Sequence, residues 1–214
     1  MAVHQSTVGM PRHTRKPESS FYSVWIILTT LCIPVAFFLD LVLLRLITRS
    51  VGDFIFVNGV RHITEDYLGV YVFIPIAALL TGLMQYVLLR RYLPRMGWWV
   101  LATAGGWLLG VLLVAIPGRL GWTDAFLKYI SLIFLVMGFS IGLVQWLFLR
   151  RRLSRAVWWI VANLVGWGVL GLLTPGASVG QEALLTLGLL PACTTAAALA
   201  WLMKQVPEAE GQVL

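Results

Sequence analysis

Residues 82–99 read GLMQYVLLRRYLPRMGWW, and residues 142–159 read GLVQWLFLRRRLSRAVWW. The second stretch repeats the first at an offset of 60 residues without a gap. Gly82 aligns with Gly142, Gln85 with Gln145, and Arg90, Arg91 and Arg95 with Arg150, Arg151 and Arg155. Trp98 and Trp99 align with Trp158 and Trp159. Each copy holds the end of an apolar segment, a basic turn and the aromatic start of the next segment. A membrane helical hairpin presents that order at its surface. The reading puts Arg90, Arg91, Arg95, Arg150, Arg151, Arg152 and Arg155 among lipid headgroups. Trp98, Trp99, Trp158 and Trp159 go to the interface beside them.

Composition supports this setting. The 214-residue chain is 59% hydrophobic and only 12% charged, and its mean hydropathy is +0.87. A soluble domain carries roughly twice that share of charge, so lipid is the expected solvent for much of the surface. The net charge of +7 sits in short turns between apolar runs, which favours anionic headgroups over nucleic acid as the partner. Cys32 and Cys193 fall inside apolar runs and are expected to be small packing residues, not a disulfide.

Outward from the repeated stretch, six spans emerge at about 21–47, 68–89, 97–116, 128–149, 156–174 and 183–203. Each is close to the roughly 20 residues that cross a hydrocarbon core, and each must be helical because lipid offers no partner to the backbone. Pro34, Pro75 and Pro191 lie inside spans and are expected to kink them, whereas Pro117 and Pro175 are expected to end theirs. Residues 1–20 read as a cytoplasmic disordered tail, with the first span uncleaved, and residues 205–214 as a second tail. With the N-terminus inside, 11 Lys and Arg fall on the cytoplasmic side and 5 outside, so both termini are expected in the cytoplasm.

The repetition extends more faintly. VWIILTT (24–30) aligns with WWVLATA (98–104) and WWIVANL (158–164), and LAWLMKQ (199–205) with MQYVLLR (84–90) and VQWLFLR (144–150). Three related hairpins would account for this, and so would membrane composition alone. One soluble element interrupts the pattern. In DFIFVNGVRHI (53–63), Asn58-Gly59 between two β-prone runs predicts a small extracytoplasmic β-hairpin with a type I′ turn. The expected fold is therefore all-α, a six-span membrane domain over residues 21–204 built from helical hairpins.

Few residues offer chemistry. Asp40 lies in a span, where a carboxylate is costly; it is either functional or a packing group that is protonated or paired with Arg45 or a polar group of a neighbouring helix. Gln85, Thr103, Gln145 and Asn163 fall at similar depth, five residues before an Arg cluster or four after a Trp pair. Bonds from Gln145 to Asn163 and from Gln85 to Thr103 are expected, serving as glue between helices or as a polar site at the repeat interface. His62, Glu65 and Asp66 would have to assemble for a metal or acid–base site, and such trios are common in solvated loops. Small residues at helical spacing, such as Ala102, Gly106 and Gly110 or Ala192, Ala196 and Ala200, predict close helix packing. His4, His13 and His62 all lie outside the spans, so no transmembrane histidine is available to ligate haem or chlorophyll, and the cofactor is left unknown. No Walker, H-E-x-x-H or CxxC motif occurs.

The pattern GLxQWLxLRRxLxRxxWW resembles small multipass membrane proteins of unassigned role associated with cyanobacteria and green filamentous bacteria. The clear match covers residues 82–110 and 142–171, with Tyr86 in place of Trp in the first copy and Arg152 in place of an aromatic in the second. The resemblance implies a bacterial inner-membrane protein and carries no catalytic residues. The preferred expectation is a non-catalytic accessory subunit of a larger membrane complex, photosynthetic or respiratory, with other membrane subunits as partners. The alternative is a small transporter or substrate-binding module. An enzyme using Asp40 with the His62 loop is the third reading.

Overall fold

A computed structural model describes residues 17–93, 96–119, 130–173 and 183–205. Among them are six helices and one two-stranded sheet. Helix α1 spans Ser19–Val51, α2 Thr64–Leu89, α3 Trp99–Arg119, α4 Ile130–Leu149, α5 Trp158–Leu173 and α6 Ala183–Lys204. Four helices are long and apolar enough to cross a membrane, and Trp99–Ala115 and Trp158–Leu173 are shorter apolar segments. The helices lie within a few residues of the expected spans. The two tails outside 17–205 lie outside the described residues. Pro34, Pro75 and Pro191 sit inside α1, α2 and α6. Pro117 does not itself end its helix, because α3 includes two further residues, to Arg119. Pro175 lies outside the described residues.

The helices close into a ring. Each packs against its neighbours in sequence, and α6 returns to pack against α1. Glycines allow the approach at most of the seams. A Cβ at Gly106 of α3 would lie 2.6 Å from the Cα of Ile141 in α4, one at Gly171 of α5 2.6 Å from the Cα of Ser131, and one at Gly188 of α6 2.5 Å from the carbonyl oxygen of Thr30 in α1. Backbones this close gain dispersion contacts along the whole seam.

The ring has two distinct ends. At one end Arg90, Arg91, Arg150, Arg151, Arg152 and Arg155 are exposed. Beneath them lies a core of Phe21, Trp25, Leu89, Trp99, Leu149, Trp159, Leu199 and Leu202. The two turns at this end make corresponding bonds. Leu93 N–H donates to Leu89 O at 2.8 Å and Leu153 N–H to Leu149 O at 2.9 Å; Trp99 N–H donates to Met96 O and Trp159 N–H to Ala156 O, each at 2.9 Å. Arg90 lies over the ring of Tyr86 at 5.9 Å and Arg150 over that of Trp146 at 5.0 Å.

The paired tryptophans do not share one environment. Trp98 and Trp158 are exposed by 65% and 51%, whereas Trp99 and Trp159 are exposed by 1% and 0%. The assignment of Trp99 and Trp159 to the lipid interface is therefore corrected. Neighbouring residues on a helix point about 100° apart, so when the first indole faces outward the second turns into the ring.

At the opposite end, strands β1 (Phe54–Val57) and β2 (Val60–Ile63) pair antiparallel with Val57 opposite Val60. Asn58 (φ 51°) and Gly59 (φ 80°) form the two-residue turn, both in the left-handed region that a type I′ turn requires. The base of the hairpin is tied to α2: Thr64 N–H donates to Asp53 O at 3.0 Å, and its hydroxyl to Gly52 O at 2.7 Å. Arg61 caps the ring of Phe54 at 3.6 Å.

Candidate functional site

The four polar residues at matched depth meet in one layer inside the ring. Gln85, Thr103, Gln145 and Asn163 are all buried. Their partners are not the ones expected within each hairpin. Gln145 is the hub: its Oε1 accepts from Trp159 Nε1 at 2.8 Å, and its Nε2 donates to Thr103 Oγ1 at 2.9 Å and to Gln85 Oε1 at 3.3 Å. Gln85 Oε1 also accepts from Trp99 Nε1 at 3.1 Å. Asn163 Nδ2 instead donates to Trp159 O at 2.9 Å, and the Thr103 hydroxyl to Trp99 O at 3.0 Å. Each glutamine thus takes the indole N–H arriving 14 residues later across its turn, and the amide N–H of Gln145 reaches the neighbouring hairpin.

A third indole completes the layer. Trp25 of α1 is fully buried and donates to Thr195 Oγ1 of α6 at 3.2 Å. Trp159 packs edge-on against both Trp25 and Trp99, with ring centroids 6.2 and 5.9 Å apart. Four residues beyond the three tryptophans stand Thr29, Thr103 and Asn163, all buried and all lining a cavity of about 30 Å³ on the ring axis. That volume is enough for a water molecule. Thr29 Oγ1 is buried there without a hydrogen-bond partner. The sequence alignment of 24–30 with 98–104 and 158–164 already held Trp25 and Thr29 in register with the other two pairs. The outer copies match only faintly, so the sequence alone does not mark Trp25 and Thr29 as site residues.

Beyond the polar layer, toward the β-hairpin end, lies a larger cavity, about 630 Å³. All six helices contribute to its wall. Eight helical residues beyond the three tryptophans, Ile33, Trp107 and Trp167 line both cavities. Trp107 and Trp167 pack edge-on at 5.5 Å, and Phe134 stacks on Trp167 at 6.0 Å. The wall is otherwise aliphatic and aromatic, with one exception.

That exception is Asp40. It is 5% exposed, lines the cavity, and its Oδ1 is buried without a hydrogen-bond partner. Arg45, its expected ion-pair partner, is exposed on the outside of α1. Five residues along a helix carry the chain about 140° beyond a full turn, which sends the two side chains to different faces.

The remaining candidates do not assemble. Among the described residues no three His, Cys, Asp or Glu side chains come together as a metal site. His62 packs against the ring of Tyr67 at 4.9 Å, and the side chain of Asp66 lies outside the described residues. Cys32 is buried, whereas Cys193 faces outward from α6. Arg95 lies outside the described residues. No family model, curated protein or solved structure matches this chain.

Proposed function

We propose that the protein is a bacterial inner-membrane module with six spans and cytoplasmic ends that binds a small apolar or amphipathic molecule inside its helical ring. The cavity of about 630 Å³ carries this reading. Its volume lies in the range of small-molecule sites, and a mostly apolar wall with a few converging polar groups is the usual composition of such sites. The network of Gln85, Thr103 and Gln145 forms a polar floor, and the aromatic core at the Arg end closes the ring below it. We read the recurring Trp and Thr or Asn positions as three related hairpins around one axis, an arrangement in which membrane binding sites commonly sit at the repeat interface. No reaction is assigned to the site.

A thermal-shift screen of apolar and amphipathic small molecules on the detergent-purified protein tests this. A ligand that raises the melting temperature of the wild type but not of Val111→Phe, which fills the cavity from α3, supports it. No stabilisation across the screen, or equal stabilisation of both proteins, rejects it. Single-cysteine labelling at Ser19, Asn58 and Gln205 in intact cells tests the orientation. Asn58 alone should react with an impermeant reagent.

One observation favours the accessory-subunit reading as a second role. A groove of about 490 Å³ runs along the outside of α5 and α6 over Ala162, Ala197 and Ala198, beside Trp158 and Trp201, whose rings pack edge-on at 6.0 Å. Small residues beside an aromatic pair suit a neighbouring transmembrane helix. Co-purification from native membranes in mild detergent, lost on Ala162→Trp, would support that role. A lone 23.8 kDa species would count against it.

A further inference from the structure

The wall of the larger cavity narrows the class of ligand, an inference that rests on the binding reading above. Asp40 brings a carboxylate into a wall where every other group named so far is apolar or aromatic. Its Oδ1 is buried and has no hydrogen-bond partner. An ionised carboxylate removed from water needs a compensating charge or donors. None of the described residues lining this cavity is basic, and Arg45 faces away from it. Around the same space stand Phe37, Phe73, Trp107, Phe134 and Trp167, rings whose faces attract cations.

We propose that the cavity takes a hydrophobic cation, an amine or quaternary ammonium, with its charge against Asp40 and its apolar body among the aromatic rings. An anionic amphiphile would be repelled by an ionised Asp40, and a neutral molecule would supply no counter-charge, leaving Asp40 to neutralise by taking up a proton, whereas a cation stabilises the ionised form. Arg49 and Arg61, near the same end, are exposed, so solvent and salt screen them from the cavity. The polar floor lies deeper on the axis, past Ile33, Trp107 and Trp167.

Two molecules of the same shape test the charge alone: phenyltrimethylammonium and tert-butylbenzene. Binding of each to the protein in nanodiscs of neutral lipid is followed by tryptophan fluorescence. The cation should bind roughly tenfold or more tightly than the neutral isostere, as expected for a desolvated charge beside a carboxylate and aromatic faces. Asp40→Asn should abolish that preference while keeping the affinity for tert-butylbenzene, and Asp40→Glu should restore it. Equal binding of the two molecules to the wild type, or a preference unchanged in Asp40→Asn, overturns the assignment to cations and leaves the cavity reading standing. Failure of both molecules to bind, with fluorescence insensitive to either in wild type and Val111→Phe alike, overturns both. Should Asp40→Asn fail to fold, the ratio of affinities in the wild type and in Asp40→Glu still decides the matter.

Discussion

The indole N–H of Trp159 donates to the side-chain oxygen of Gln145 at 2.8 Å, closing a turn of 14 residues from inside the helical ring. Trp99 and Gln85 make the same contact at 3.1 Å. The two bonds differ in what else they hold. Gln145 also bonds Thr103 and Gln85, so it links all three partners, whereas Gln85 only accepts.

Gln145→Leu should therefore destabilise the protein more than Gln85→Leu. The first strands the N–H of Trp159 and removes both inter-hairpin bonds. The second strands the N–H of Trp99 and removes one. A buried group left unpaired costs about 1–3 kcal/mol. Melting temperatures in one detergent would check the order, and a double-mutant cycle should return a coupling between the two glutamines of about 0.5–2 kcal/mol. Zero coupling would mean that the 3.3 Å contact contributes nothing.

Adjacent glycines should respond in opposite ways. A Cβ at Gly106 would meet the Cα of Ile141 at 2.6 Å, whereas one at Gly105 meets only the side chain of Val144, at 3.9 Å. Gly106→Ala must push α3 and α4 apart, at a cost of about 1–3 kcal/mol. Gly105→Ala should be neutral or stabilising by up to about 1 kcal/mol, because alanine is the better helix former. Thermal denaturation of the two variants side by side is sufficient, and equal effects would argue against the close α3–α4 seam.

The tryptophan pairs should separate by quenching. Brominated lipids should quench Trp98 and Trp158, which are exposed, and spare Trp99 and Trp159. Substitution by alanine should follow the same division. The buried pair should cost about 3–5 kcal/mol each, and Trp98→Ala far less. Quenching that reaches Trp99 as readily as Trp98 would contradict the inward orientation.

The hairpin between α1 and α2 depends on its turn. Gly59 has a φ of 80°, with no atom within 4 Å of an added Cβ, so Gly59→Ala strains the backbone without a clash. A left-handed non-glycine residue costs roughly 1–2 kcal/mol. Hydrogen exchange should speed up across residues 54–63 in Gly59→Ala while the amides of the six helices stay protected. Faster exchange throughout the helices would mean that the hairpin helps to hold the ring together.

Depth along the chain was legible in the sequence, and direction across it was not. Helices advance about 1.5 Å per residue, so counting from the Arg clusters and Trp pairs placed Gln85, Thr103, Gln145 and Asn163 in one layer. The Asn58-Gly59 turn was equally local, because its φ angles select those residues wherever they occur. The side each residue faces depends on which neighbours remove it from lipid, and that is a property of the closed ring. Ring closure turned Trp99 and Trp159 inward, and it drew Gln145 to Thr103 in place of Asn163. It brought Trp25 to Thr195 across 170 residues of sequence. Asp40 shows the same limit: its chain position marked it as a costly charge, and only six helices packed around one axis gave it a cavity to face.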